Sequence, residues 1–126
     1  MRRLFGILLA LTLVPGCATT GFRPGAVSGH DEIGVASYVA SRFDGQATSS
    51  GAIYDGRRLT AAHRTLPFGT RVRVTNLGND RTVVVTITDR GPFRRGRIVD
   101  LSRRAAAELG FIAQGTARVR LEVVPD

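Results

Sequence analysis

Two side chains in the middle of the chain are of the types that move protons. One is His63, closing Thr60-Ala61-Ala62-His63, and the other is Asp89, opening the corner Asp89-Arg90-Gly91-Pro92. An imidazole and a carboxylate held within hydrogen-bond reach can give a proton to a bound substrate or take one from it. They flank two segments rich in valine and threonine, so a small barrel built from those segments would let the two groups meet. Each residue also has a plainer structural use. Asp before Arg-Gly-Pro caps a tight turn, because its carboxylate bonds the backbone two residues on and proline fixes φ. A single histidine between a strand and a loop ordinarily serves as a hydrogen-bonded structural imidazole.

The elements that would carry these groups are legible from side-chain period. Residues 70–75 alternate Val72 and Val74 with Arg71 and Arg73, the period of a half-buried strand. Asn76-Leu77-Gly78-Asn79-Asp80 supplies a turn, and residues 82–88 return as a near-continuous β-branched run, which makes a hairpin. Residues 117–124 place Val119, Leu121 and Val123 on one face and Arg118, Arg120 and Glu122 on the other. A further short strand is expected over 35–39, followed by a turn-rich loop over 41–55. Ser102 is placed to cap a helix over 103–109, with Gly110 ending it. Asp100 reads as an internal ion-pair partner of Arg97 at the helix start, and Arg94-Arg95-Gly96-Arg97 as solvated surface beside the Asp89 corner. Short strands and one short helix over about 90 residues point to a closed β-barrel with a single core.

At 126 residues the chain has room for one domain. Residues 1–16 read as an export signal, with Arg2 and Arg3 ahead of an apolar run of 11 residues, too short for the roughly 20 that a spanning helix needs. The run ends in Leu13-Val14-Pro15-Gly16-Cys17, and this is the only cysteine. In that position it reads as a lipidation site, the alternative being an ordinary signal peptide with an incidental thiol. Residues 17–33 read as a tether that could span on the order of 50 Å, and the domain as 34–126. His30 falls in the tether beside Asp31 and Glu32, with no second ligand pair at metal spacing, so no metal is expected. Without residues 1–16 the chain carries 16 arginines against 10 acids and no lysine. That surface favours an anionic partner such as an envelope polymer, with an ordinary solvated arginine surface as the equal alternative. Nucleic acid is not expected, because an exported chain seldom meets it and no aromatic-interleaved basic stripe is present.

Five blocks in order resemble the rare lipoprotein A (RlpA) family: Thr60-Ala61-Ala62-His63, Leu66-Pro67-Phe68-Gly69-Thr70, Val72-Arg73-Val74-Thr75-Asn76-Leu77, Asp89-Arg90-Gly91-Pro92-Phe93, and Gly96-Arg97-Ile98-Val99-Asp100-Leu101-Ser102. The resemblance implies a mainly β fold, a six-stranded double-psi β-barrel with one or two short helices. It also implies a lytic transglycosylase that cleaves peptidoglycan glycan strands lacking stem peptides and leaves 1,6-anhydro ends, with no cofactor. His63 and Asp89 match two of the family's three functional residues. The third, a glutamate in Thr-x-Ser-Gly-Glu, is Ala52 here, within Thr48-Ser49-Ser50-Gly51-Ala52. Asp44 and Asp55 are the candidate substitute acids. Thr48, Ser50, Gly51, Tyr54, Arg90, Arg94 and Arg95 are the expected substrate contacts. The missing glutamate keeps open a second reading, a glycan-binding or envelope-organising protein without turnover. The expected setting is the cell envelope, facing the periplasm from the outer membrane through acylated Cys17, as a monomer. The family's frequent SPOR domain is not expected, since the sequence ends at Asp126 after the barrel.

Overall fold

A computed structural model describes residues 29–125. The leader, Cys17 and most of the tether lie outside the described residues. Six strands, β1 (Asp31–Tyr38), β2 (Thr60–Ala62), β3 (Arg71–Asn76), β4 (Thr82–Asp89), β5 (Arg97–Leu101) and β6 (Ala117–Val123), close in the order β1-β5-β2-β4-β3-β6. A 3-10 turn at Ser41–Phe43 follows β1, and one helix, α1 (Arg103–Leu109), follows β5. The barrel is mixed. β1 runs parallel to β5 and β2 parallel to β4, while the remaining pairs are antiparallel. Closure leaves no strand edge unpaired, which removes a template for aggregation.

The alternating segments supply the core. Val72, Val74, Val85, Ile87, Val99, Val119 and Leu121 are buried inside, and Leu109 and Phe111 seal one end. The hairpin of β3 and β4, strand β6 and the helix all stand where their patterns place them. Ser102 Oγ accepts from the Ala105 amide, and Gly110 closes the helix at φ 78°. Two strands carry no periodic signal. β2 is three residues long, and β5 sits behind an arginine and glycine run.

The boundary expected at residue 34 is corrected to Asp31. Asp31, Glu32 and Ile33 pair with Glu122, Leu121 and Arg120 of β6, so main-chain bonding draws a charged segment into the barrel despite its linker-like composition. Gly34 has a packing reason to be glycine. A Cβ there would lie 2.6 Å from Ile98 Cγ2, a methyl on a stiff β-branched side chain. Gly34→Ala is therefore expected to destabilise the barrel by about 1–3 kcal/mol, measured as a lowered denaturant midpoint with unchanged slope.

Candidate active site

β2 lies between β4 and β5, and its last residue organises the site. Ala62 is the register partner of Asp89 on one side and of Asp100 on the other. With strands about 4.8 Å apart, the two aspartate backbones lie about 10 Å from each other across a methyl floor. Val99 and Leu101 on either side of Asp100 are fully buried, so alternation along β5 turns the Asp100 carboxyl outward. Both carboxyls line one groove of about 310 Å³, together with Thr48, Tyr54, Thr60, Thr88 and the aromatic rings of Phe43 and Phe93. Phe93 is 82% exposed, an open apolar face at the groove's edge. A second, wider hollow shares Tyr54, Thr60 and Thr88 with the first, and extends past Ala52, Ile53 and Asp55.

The two aspartates sit in opposite environments. Burial pushes Asp89 up, but its Oδ1 accepts from Ser49 Oγ at 2.7 Å, Ser49 N at 3.0 Å and Arg90 N at 2.8 Å. The donors prevail, and its carboxyl is held below the ordinary carboxylate value. Asp100 is more deeply placed. Burial raises its carboxyl above the ordinary value, outweighing a hydrogen bond from Ser37 Oγ at 3.1 Å and the positive charge of Arg97, and the negative charge of Asp89 adds to the rise. The expected ion pair with Arg97 is corrected to a looser relation: no salt bridge joins the two among the described residues, the Arg97 charge acts on Asp100 without contact, and Ser37 is its hydrogen-bond partner. One carboxyl favoured as anion beside one favoured as acid is the division of labour that acid–base catalysis uses.

The loop over the groove is rigidly built. The amide and the hydroxyl of Thr48 both donate to Ala52 O, at 2.8 and 2.7 Å, and Gly51 turns at φ 91° to bring its amide back to Thr48 O. Ser49, between them, is the residue that bonds Asp89. The Ala52 methyl is exposed and borders the second hollow. Neither substitute acid takes its place. Asp44 brackets the loop base, accepting from Gly56 N at 3.0 Å with Arg103 at 3.7 Å. Asp55 is chelated by the Arg57 side chain and amide, which lower its carboxyl to about 2, so it is held ionised.

His63 and Asp89 meet only through their backbones, His63 N donating to Asp89 O at 3.1 Å. Thr60, Ala61 and Ala62 all line the groove, whereas His63, just past the end of β2, does not. The His63 ring is buried instead against Glu32, at 3.0 Å. Arg90 borders the groove, yet its guanidinium donates to His63 O and Leu66 O and lies 4.0 Å over the Phe68 ring. Arg94 and Arg95 are exposed on the loop beyond Phe93, which Arg64 secures by donating to Pro92 O and Arg97 O.

A family model described as lytic transglycolase matches residues 35–121. The chain belongs to the lytic transglycolase family. Relatives within it are the endolytic peptidoglycan transglycosylase RlpA of Pasteurella multocida, 52% identical over 97 residues, and that of Campylobacter jejuni, 53% identical over 91. These alignments cover 77% and 72% of this chain but 33% of each relative, so the chain spans about a third of their length. Solved structures confirm the fold. Streptomyces papain inhibitor superposes with a TM-score of 0.63 at 22% identity, over 77% of this chain and 96% of that one. A point mutant of an expansin from Clavibacter michiganensis, solved in complex with cellohexaose, gives 0.62 at 20% identity, over 77% and 52%. The RlpA resemblance and the six-stranded double-psi β-barrel expected from sequence therefore stand. Within this transglycolase barrel Asp100 is the groove residue that the sequence pattern places elsewhere, with Arg97. Its outward register between Val99 and Leu101 is the available signal, and the basic run ahead of β5 conceals it.

Proposed function

We propose that this barrel is a lytic transglycosylase acting on peptidoglycan glycan strands, with Asp100 as the general acid and Asp89 as the ionised partner. The observation that carries the reading is the pair of aspartates flanking Ala62 in one groove, with opposite proton affinities. Protonated Asp100 gives its proton to the glycosidic oxygen as the bond from that oxygen to C1 of the muramoyl residue breaks. Asp89 stabilises the oxocarbenium-like centre that develops. The C6 hydroxyl of the same sugar closes on C1, and its proton passes to a carboxylate. The balance is one C–O bond broken, one formed, and no water consumed. This cycle makes Asp100 the substitute for the carboxyl absent at Ala52, in place of Asp44 or Asp55.

The cycle requires Asp89 ionised and Asp100 protonated. Turnover is expected to rise as pH climbs through the lowered value of Asp89, and to fall as it climbs through the raised value of Asp100, giving a bell. Release of soluble fragments from denuded glycan, followed across pH, tests this. A native profile without an alkaline limb, or an alkaline limb that persists in the residual activity of Asp100→Asn, contradicts it. Phe43 and Phe93 would supply apolar faces for sugar rings. Phe93→Ala is expected to weaken glycan binding by about fivefold, or about 1 kcal/mol, in co-sedimentation or calorimetry.

Ala52 favours a second reading, a groove that binds the strand and does not cut it. Co-sedimentation with denuded glycan without release of fragments would establish that reading. Under either one, the protein works in the cell envelope, exported and held at the outer membrane by acylated Cys17, with exposed Arg94 and Arg95 facing the lactyl carboxylates of the polymer.

A further inference from the structure

Behind the Asp89 corner lies a pocket of about 230 Å³ that the mechanism above does not use, lined by His30, Glu32, His63 and Ile98 among others. One oxygen, Glu32 Oε2, lies 2.9 Å from His30 Nε2 and 3.0 Å from His63 Nε2. Two imidazoles and a carboxylate converging within 4.8 Å have the composition of a metal site. The hydrogen bonds of His63 decide against that. Its Nδ1 accepts the amides of Thr65 at 3.2 Å and Leu66 at 3.1 Å, so Nδ1 carries the lone pair and the ring proton sits on Nε2, aimed at Glu32. A metal-bound imidazole needs the reverse, a lone pair on the ligating nitrogen and a proton on the other, facing an acceptor.

We propose that Glu32 and His63 are positioning residues for the Asp89 corner. Glu32 fixes the His63 tautomer and ring, the ring ties down the turn at residues 63–66, and that turn holds the corner that aims Asp89 into the groove. The path is continuous. The carbonyls of His63 and Leu66, at the two ends of the turn, both accept from Arg90 Nη1, at 3.0 and 2.7 Å. The Arg90 amide then donates to Asp89 Oδ1 at 2.8 Å, while the His63 amide donates to Asp89 O at 3.1 Å. Arg64, inside the same turn, holds the loop that carries Phe93. Burial raises the Glu32 carboxyl, but hydrogen bonds from the two imidazoles outweigh it and keep Glu32 an ionised acceptor. His63 thus contributes to the site without donating a proton to substrate.

The inference rests on Asp89 being a site residue, and its test separates the two claims. In ¹⁵N-resolved NMR of the native protein, the His63 ring is expected as the Nε2–H tautomer, unchanged by equimolar Zn²⁺. Glu32→Leu is expected to shift the Ser49 and Arg90 amides, which report on the Asp89 carboxylate, and to weaken binding of denuded glycan by about tenfold. Glu32→Gln, which keeps an acceptor oxygen, is expected to restore both. An Nδ1–H tautomer, or Zn²⁺ binding that replaces the Nε2 proton, overturns the proposal on the native protein alone, whether or not Glu32→Leu folds. Unmoved Ser49 and Arg90 amides in a folded Glu32→Leu also overturn it. A native protein that binds no glycan sinks the groove reading, and the amide shifts then decide the positioning claim by themselves.

Discussion

Asp100→Asn is expected to lower glycan turnover by roughly 10²- to 10⁴-fold while leaving glycan binding nearly intact, because asparagine keeps the shape and the acceptor for Ser37 but has no proton to give. The same substitution is expected to change stability with a definite sign. The folded protein raises the proton affinity of Asp100, so the native state binds more protons than the unfolded chain between the unfolded value and the raised one. Stability from this group is full below the unfolded value and is lost as pH rises through the folded value. Asp100→Asn should therefore melt above the native protein at neutral pH, with the difference closing in acid. Thermal melts at several pH values read this directly. An equal loss of binding and turnover, or a lower melting temperature at neutral pH, would show Asp100 to be a structural carboxylate.

Ala52→Glu is the second large effect. The loop holding position 52 is set by backbone and hydroxyl bonds from Thr48, Ser50 and Gly51, none of which uses the Ala52 side chain. Ala52 is exposed at the rim of the second hollow, which leaves room for a longer side chain. A carboxyl restored beside the second hollow, which shares Tyr54, Thr60 and Thr88 with the groove, is expected to raise turnover by roughly 10²-fold, and Ala52→Gln, equal in size and without an acid, to leave it unchanged. Ser49 on the same loop bonds Asp89, so the new acid would share a rigid frame with the site. Activity unchanged in Ala52→Glu would mean that a carboxyl at this position does not reach the glycosidic oxygen. Activity present only in Ala52→Glu would mean a groove that binds and does not cut.

The sequence displayed the antiparallel half of the barrel and concealed the parallel half. β3 and β6 show a two-residue period, with one face in the core and the other toward solvent, and β4 shows a near-continuous β-branched run. β2 has three residues and β5 begins in a basic run, so neither gives periodicity a window in which to act. Those two strands are the ones that bring Asp89 and Asp100 to either side of Ala62. Long-range pairing, absent from any local pattern, thus made Asp100 invisible as a site residue and made its pairing with Arg97 look natural. The same limit applied at His63. Its type suggested proton transfer toward Asp89, while the facing direction came from a partner, Glu32, in a segment that reads as linker. Asp55 is held ionised for a local reason, the Arg57 beside it.

The claim at the centre is that two aspartates across Ala62 cut glycan strands without water. Mass spectrometry of denuded peptidoglycan strands incubated with the purified protein in H₂¹⁸O tests it most directly. The expected result is new 1,6-anhydro ends with no ¹⁸O incorporated, absent in both Asp89→Asn and Asp100→Asn. Intact strands, reducing ends carrying ¹⁸O, or 1,6-anhydro ends that persist in Asp100→Asn would contradict it.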